Sequence, residues 1–231
     1  METYDLVVYG GNPAGIACAV RAAREGLKVL LVNHTPHFGG LPTNGMGLWD
    51  TLYEGRRAPI YDEMRQAIFD YYRKTYGEDS PQYKACLPGE TGHSNGKYEA
   101  KVFELVASRM VETEEGISIR RSCFPTEARV EDRIVKSLTF GEMDGDETFT
   151  VTGQIFVDCS YEGDLLPLTG VEFRVGREGK EVYNEPHAGR IFMQFGDDVP
   201  ESEKRIGRIA ASLNLRQFGK SMEIIHPEST G

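Results

Sequence analysis

The sequence predicts an α/β fold: a parallel central sheet covered by helices, extended by an antiparallel β-meander. Three observations carry this. The first 32 residues read strand, helix, strand, and both strands are continuous apolar runs, as in parallel strands covered on two faces. Residues 99 to 120 read as a second helix followed by a strand. Residues 126 to 151 change to short alternating segments punctuated by "ED" and "MDGDE", the pattern of antiparallel hairpins.

The first strand is Asp5 to Tyr9, and the helix after it runs from Pro13 to Glu25, with Ile16, Ala17, Val20 and Ala23 at helical spacing. Between them lies "GGNPAG", comprising Gly10, Gly11, Asn12, Pro13, Ala14 and Gly15. A glycine turn that follows a buried strand and opens a helix is the layout that holds a dinucleotide pyrophosphate. Gly10 supplies the tight turn, and Gly15 lets the helix approach the strand. Asn12 stands where the pattern has its middle glycine. Asparagine tolerates left-handed backbone and is a strong helix N-cap, and Pro13 suits the first helical position. Asn12 is therefore expected in or near a glycine-like backbone geometry, with its side chain capping the helix or lying beside the phosphates and the Ala14 and Gly15 amides aimed outward at them.

The second strand is Lys28 to Val32 and ends in Asn33 and His34, where an acidic residue usually accepts the ribose hydroxyls. Asn33 offers one acceptor oxygen, so Asn33→Glu is expected to tighten the dinucleotide. A Gly- and Pro-rich stretch follows, and a loop of that length is usually functional. Helical periodicity returns from Ile60 to Tyr76 in an aromatic segment read as packing. Residues 77 to 97 read as polar loop, Glu99 to Glu112 as an amphipathic helix, residues 117 to 120 as a parallel strand and Gln154 to Ser160 as another buried strand. Beyond Ser160 the pattern weakens until the strand-like "RIFMQF". The expected organisation is a Rossmann-like dinucleotide-binding domain over residues 1–170, interrupted by an insertion at about 50–98, then the start of an incomplete substrate region over 171–231.

Composition excludes several classes. With 36 acidic against 26 basic residues the net charge is −10, which argues against a nucleic-acid partner. No apolar run approaches the ~20 residues of a membrane span. The first strand begins within a few residues of Met1, too soon for a signal peptide, so a cytoplasmic setting is expected. Cys18, Cys86, Cys123 and Cys159 have no metal-like spacing and read as buried thiols, with neither disulfide nor metal.

Three segments together resemble the FAD-dependent oxidoreductases of the two-dinucleotide-binding flavoprotein superfamily. They are "VVYGGNPAGIACAVRAAREGLKVLLV", "HFGGLPTNGMG" and "FVDCSYEGDLLPLTGVEFRVGREGKEVYNEPHAG". The resemblance implies FAD as cofactor and hydride transfer from a small-molecule substrate. It implies that Gly39 and Gly40 lie along the cofactor, that Leu41, Thr43, Asn44 and Gly45 wrap the ribityl chain and flavin, and that the meander around Ala128 meets the adenine. It also implies that Asp158, Glu162, Gly163 and Asp164 return a strand end to the cofactor. Family members are about twice this length, so the chain is expected to be an N-terminal portion. A nicotinamide-dependent dehydrogenase and a nucleotide-binding module without activity remain open alternatives. No catalytic residue is named; His187 is the best acid–base candidate, and Arg174 and Arg177 are candidates for an acidic substrate. The sequence does not give the oligomeric state.

Overall fold

A computed structural model of the chain describes residues 2–50, 57–89, 96–175, 180–184, 192–193 and 222–223. The chain forms two compact units, Met1–Val171 and Glu172–Gly231.

The first unit is built on a six-stranded sheet. Its strands are β1 (Glu2–Tyr9), β2 (Val29–Val32), β3 (Ile117–Arg120), β4 (Cys123–Glu131), β5 (Ile134–Glu142) and β6 (Thr148–Asp158), in the spatial order β3-β2-β1-β6-β5-β4. β1 is central. It runs parallel to β2, with Leu6 opposite Val29, and parallel to β6, with Leu6 opposite Ile155. β3 extends the sheet in parallel beyond β2. On the other side β6, β5 and β4 pair antiparallel. The strands read as parallel are parallel, and "LVVY" and "VLLV" are neighbours in one sheet.

One boundary differs from the sequence reading. The meander was expected to end at Val151, apart from a later buried strand, but both belong to the single 11-residue strand β6. Nothing in Val151-Thr152-Gly153-Gln154 breaks an extended chain. β1 also starts at Glu2, early enough to pair with Val151, so its edge runs beside β6 from Val151 to Asp158. At Gly153 a Cβ would lie 3.0 Å from Val7 Cγ2, so glycine here lets the strands keep their spacing.

The sheet buries both faces. Alternation sends Leu6 and Val8 to one side, where they pack with Ile16, Val20 and Phe103, and Val7 and Tyr9 to the other, against Leu138 and Phe140 of the meander. The first side is covered by α1 (Pro13–Arg24), α2 (Pro59–Tyr76) and α4 (Ala100–Glu112). Val7, Val8, Leu31 and Val32 are fully buried, which stabilises by about 1.5–3 kcal/mol apiece.

Residues read as polar loop contain α3 (Pro81–Cys86). Ser80 caps it by accepting the Tyr83 amide at 3.1 Å, Pro81 occupies its first turn, and Cys86 is wholly buried. A helix this short has too few residues to show periodicity. After β6 the chain makes the one-turn helix α5 (Leu166–Thr169).

In the second unit the described elements are α6 (Lys180–Tyr183) and the paired strands β7 (Phe192–Met193) and β8 (Met222–Glu223). Of the strand-like "RIFMQF", only Phe192 and Met193 are described. His187 and Arg177 lie outside the described residues, and Arg174 is exposed.

Candidate functional site

The C-terminal ends of β1, β2 and β6 meet three loops around a cleft of about 230 Å³. One wall is the first glycine turn, with Gly10, Gly11 and Asn12. The floor is Asn33, His34, Thr35 and His37 after β2. The far wall combines Gly40, Leu41 and Asn44 with Cys159, Ser160, Tyr161 and Glu162 after β6. The connections from β1 and β6 leave on opposite sides of the sheet, and open α/β sheets bind ligands where strand order diverges in this way.

Asn12 is 8% exposed, with φ −81° and ψ 178°, an ordinary extended backbone. The expected glycine-like geometry is absent, because capping places Asn12 before the helix in the extended region that N-cap residues use. Its Oδ1 accepts the Ala14 amide at 3.0 Å and the Gly15 amide at 3.1 Å, and its Nδ2 donates to the Cys159 carbonyl at 2.5 Å. The two amides expected to be aimed at the phosphates are thus capped, and a phosphate reaching them must displace the Asn12 oxygen.

Asn33 is buried, and every polar atom of its side chain has a partner in the protein. Oδ1 accepts the Gly11 amide at 2.7 Å. Nδ2 donates to the Thr35 carbonyl at 3.0 Å, the Thr35 hydroxyl at 3.0 Å and the His37 carbonyl at 2.8 Å. Asn33 therefore ties the glycine turn to the following loop. A Cβ on Gly11 would fall 2.4 Å from Phe38 Cδ1 and 2.7 Å from Asn33 Cγ, so only glycine fits against this pair.

Across the cleft, the Tyr161 hydroxyl accepts the Leu41 amide at 2.8 Å and sits over Gly40, whose φ of 57° and ψ of −131° favour glycine. A Cβ on Gly40 would lie 2.4 Å from that hydroxyl. The turn after β6 is fixed internally. Asp158 accepts from the Ser160 amide at 2.9 Å, the Ser160 hydroxyl at 2.6 Å and the Leu165 amide at 2.8 Å. The Ser160 oxygen in turn accepts the Gly163 and Asp164 amides, each at 2.9 Å. Burial, with Asp164 and Asp158 nearby, raises the Tyr9 phenol well above its usual range. Burial likewise pushes the Cys159 thiol up to about 11.

The structure gathers Gly10, Gly11, Asn12, Asn33, His34, Gly40, Leu41, Asn44 and Glu162 at the cleft. The other expected site residues do not line it. Pro13 and Ala14 face an adjoining cavity. Gly15 is buried where the helix meets the turn, and a Cβ on Gly39 would meet Thr43 Cγ2 at 2.4 Å. Gly45 has open space beside it. Ala128 packs against the second core, and Asp158, Gly163 and Asp164 serve the turn after β6. Thr35, His37, Ser160 and Tyr161 line the cleft without having been singled out, since none belongs to a glycine pattern.

Over residues 5–226 the chain matches the model of the FAD dependent oxidoreductase family. The chain belongs to that family. Dihydrolipoyl dehydrogenase of Zymomonas mobilis is 44% identical over 66 residues, 29% of this chain and 14% of that protein. The 3-oxosteroid 1-dehydrogenase of Comamonas testosteroni is 36% identical over 75 residues, 32% of this chain and 13% of that protein. A solved 3-ketosteroid-Δ4-(5α)-dehydrogenase from Rhodococcus jostii is 15% identical, with a TM-score of 0.44, over 68% of this chain and 45% of that one. The matched stretches thus span a small part of the curated relatives and under half of this solved structure.

The residues present fit FAD, the cofactor this family binds. The cleft adjoins the N-terminus of a 12-residue helix with no acidic residue in its first turn, so no side-chain charge there opposes an anion. Glu162 is the one carboxylate among the described cleft residues.

Proposed function

We infer that the full-length protein is an FAD-dependent oxidoreductase that takes a hydride from a small organic substrate. The observation that carries this reading is the convergence of the first glycine turn, the Gly40–Leu41 loop and the turn after β6 on one cleft at the C-terminal edge of the sheet. When bound, FAD supplies the two-electron chemistry. The N-terminus of α1 would hold its pyrophosphate once the Asn12 oxygen is displaced from the Ala14 and Gly15 amides, with Gly40, Leu41 and Asn44 lining the same cleft. Tyr161 ties the turn after β6 to the Gly40–Leu41 loop. The Asn33 network holds the first turn rigid, which spares ordering cost on binding. His187 remains the candidate for proton transfer. A reducing compartment such as the cytoplasm suits the four free thiols.

The test is the visible spectrum of the purified full-length protein. Flavin absorption that bleaches when an organic substrate is added without oxygen is the expected outcome. Purification without flavin, combined with failure to take up added FAD, would overturn the reading.

A further inference from the structure

Beside the cofactor cleft lies a second cavity, of about 430 Å³, between the first turn of α1, the loop after the glycine doublet and α2. Pro13 and Pro42 border it, each next in the chain to a residue of the cleft, so the two spaces share a wall. Its lining is aromatic and aliphatic. Trp49 is the centre of that lining, with its ring 5.1 Å from Tyr61, 5.0 Å from Tyr98 and 5.6 Å from Phe103. Met46 and Met64 add adaptable thioether surface.

Among the described lining atoms, Trp49 Nε1 is a buried donor without a hydrogen-bond partner, and the other buried polar groups are already paired. The Tyr98 hydroxyl donates to the Leu48 carbonyl at 3.1 Å, and the Tyr61 hydroxyl accepts from Arg57 at 2.6 Å. Asp50, the one charged side chain among the described lining residues, is exposed. The polar edge of an isoalloxazine, with several acceptors and a donor, would lose its water here for the one unpaired donor of Trp49. An uncharged ring compound with a single acceptor oxygen pairs that donor and gains apolar contact from the aromatic and aliphatic walls. The volume lies within the range of small-molecule sites, ~300–1,000 Å³.

We propose that this cavity binds the substrate, and that the substrate is an uncharged aromatic or fused-ring compound held against the cofactor. The proposal rests on reading the adjoining cleft as the FAD site. Trp49 lies at the centre of the lining, so its emission responds to an occupant, and Trp49→Phe identifies its share of the signal. Ala17, on α1, lines the cavity and touches none of the cleft. A larger side chain there fills the cavity from one wall.

The experiment uses the full-length FAD-loaded protein and the neutral naphthalene ketone Prodan. Prodan emission should rise on binding while Trp49 emission changes in step. Ala17→Phe should weaken Prodan binding at least tenfold, with FAD retention through gel filtration unchanged. Ala17→Leu should give a smaller loss, which guards against misfolding in the bulkier variant, and circular dichroism should match wild type in both. Prodan bound by the flavin-free protein but lost on loading with FAD would assign the cavity to the flavin ring and overturn the proposal. Undiminished Prodan affinity in both variants would overturn it too. Failure of the cofactor reading registers separately: the protein then takes up no FAD while Prodan binding and its loss in Ala17→Phe persist, and a ligand held against a flavin falls with it.

Discussion

Asn33 Oδ1 accepts the Gly11 amide at 2.7 Å, so the end of β2 grips the first glycine turn through a buried side chain. The same side chain donates to the Thr35 and His37 carbonyls. A carboxylate could keep the first bond and none of the others, having no hydrogen to donate. It would also set a negative charge beside carbonyl oxygens. The ground for expecting Asn33→Glu to tighten FAD is therefore gone. Asn33→Glu and Asn33→Asp should each lose about 1–3 kcal/mol of stability, read as a melting point several degrees lower in the full-length protein, with weaker FAD retention. A melting point at or above wild type, with firmer retention, would show that position 33 faces the ribose after all.

Gly15 tests the packing of α1 on the turn. A Cβ there would lie 1.8 Å from the Gly10 carbonyl oxygen, backbone that cannot swing aside. Helix propensity alone favours Gly15→Ala by about 1 kcal/mol. The clash should outweigh this, because overpacking costs roughly 1–3 kcal/mol or more, so Gly15→Ala should melt lower and Gly15→Val should fail to accumulate in soluble form. A soluble Gly15→Val protein with bound flavin would contradict the observed closeness.

Much of this arrangement is legible from residue order. Continuous apolar runs at Leu6–Tyr9 and Val29–Val32 give two buried parallel strands because such strands face helices on one side and a second layer on the other. The glycine turn announces the helix start and the cleft wall. What escapes is long-range pairing. Asn33 reads as a weak ribose acceptor until Gly11 and His37 are seen to saturate it. Tyr161 lies within the third family segment without an expected role, and its contact with Leu41 joins residues 120 positions apart. The continuity of β6 depends on the early start of β1, which local alternation does not reveal.

The thiols give a pH prediction. Burial pushes the Cys86 and Cys159 thiols up to about 11, above the ordinary thiol range, favouring the neutral thiol in the folded protein. A group whose folded value is raised keeps its stabilising contribution below the unfolded value and loses it as pH rises through the folded one. Stability should therefore fall between about pH 9 and 11. Alkylation of Cys159 by iodoacetamide should be slow at pH 8 and accelerate about tenfold per pH unit up to about 11. Peptide mass spectrometry of briefly treated protein checks both residues. Rapid modification of Cys159 at pH 8 would mean a lowered, reactive thiol instead.

Asn12 decides whether the first turn is a cofactor site or only a capped helix start. Its side chain holds the Ala14 and Gly15 amides and bonds the Cys159 carbonyl, so it both stabilises α1 and occupies donors a phosphate would use. Asn12→Gly gives up a few tenths of a kcal/mol of capping, since glycine is itself an acceptable N-cap, and frees two amides for the pyrophosphate. These effects oppose one another, and FAD affinity should stay within a few-fold of wild type. Asn12→Leu loses the cap, leaves the Cys159 carbonyl without its donor and puts a branched apolar side chain against the phosphate path. Its stability should fall by about 1–2 kcal/mol from the cap alone, and flavin should be lost on gel filtration. Comparing the two variants separates the roles, because both remove the asparagine and only one blocks the path. If Asn12→Leu keeps its flavin as firmly as Asn12→Gly, the phosphates do not pass over this turn.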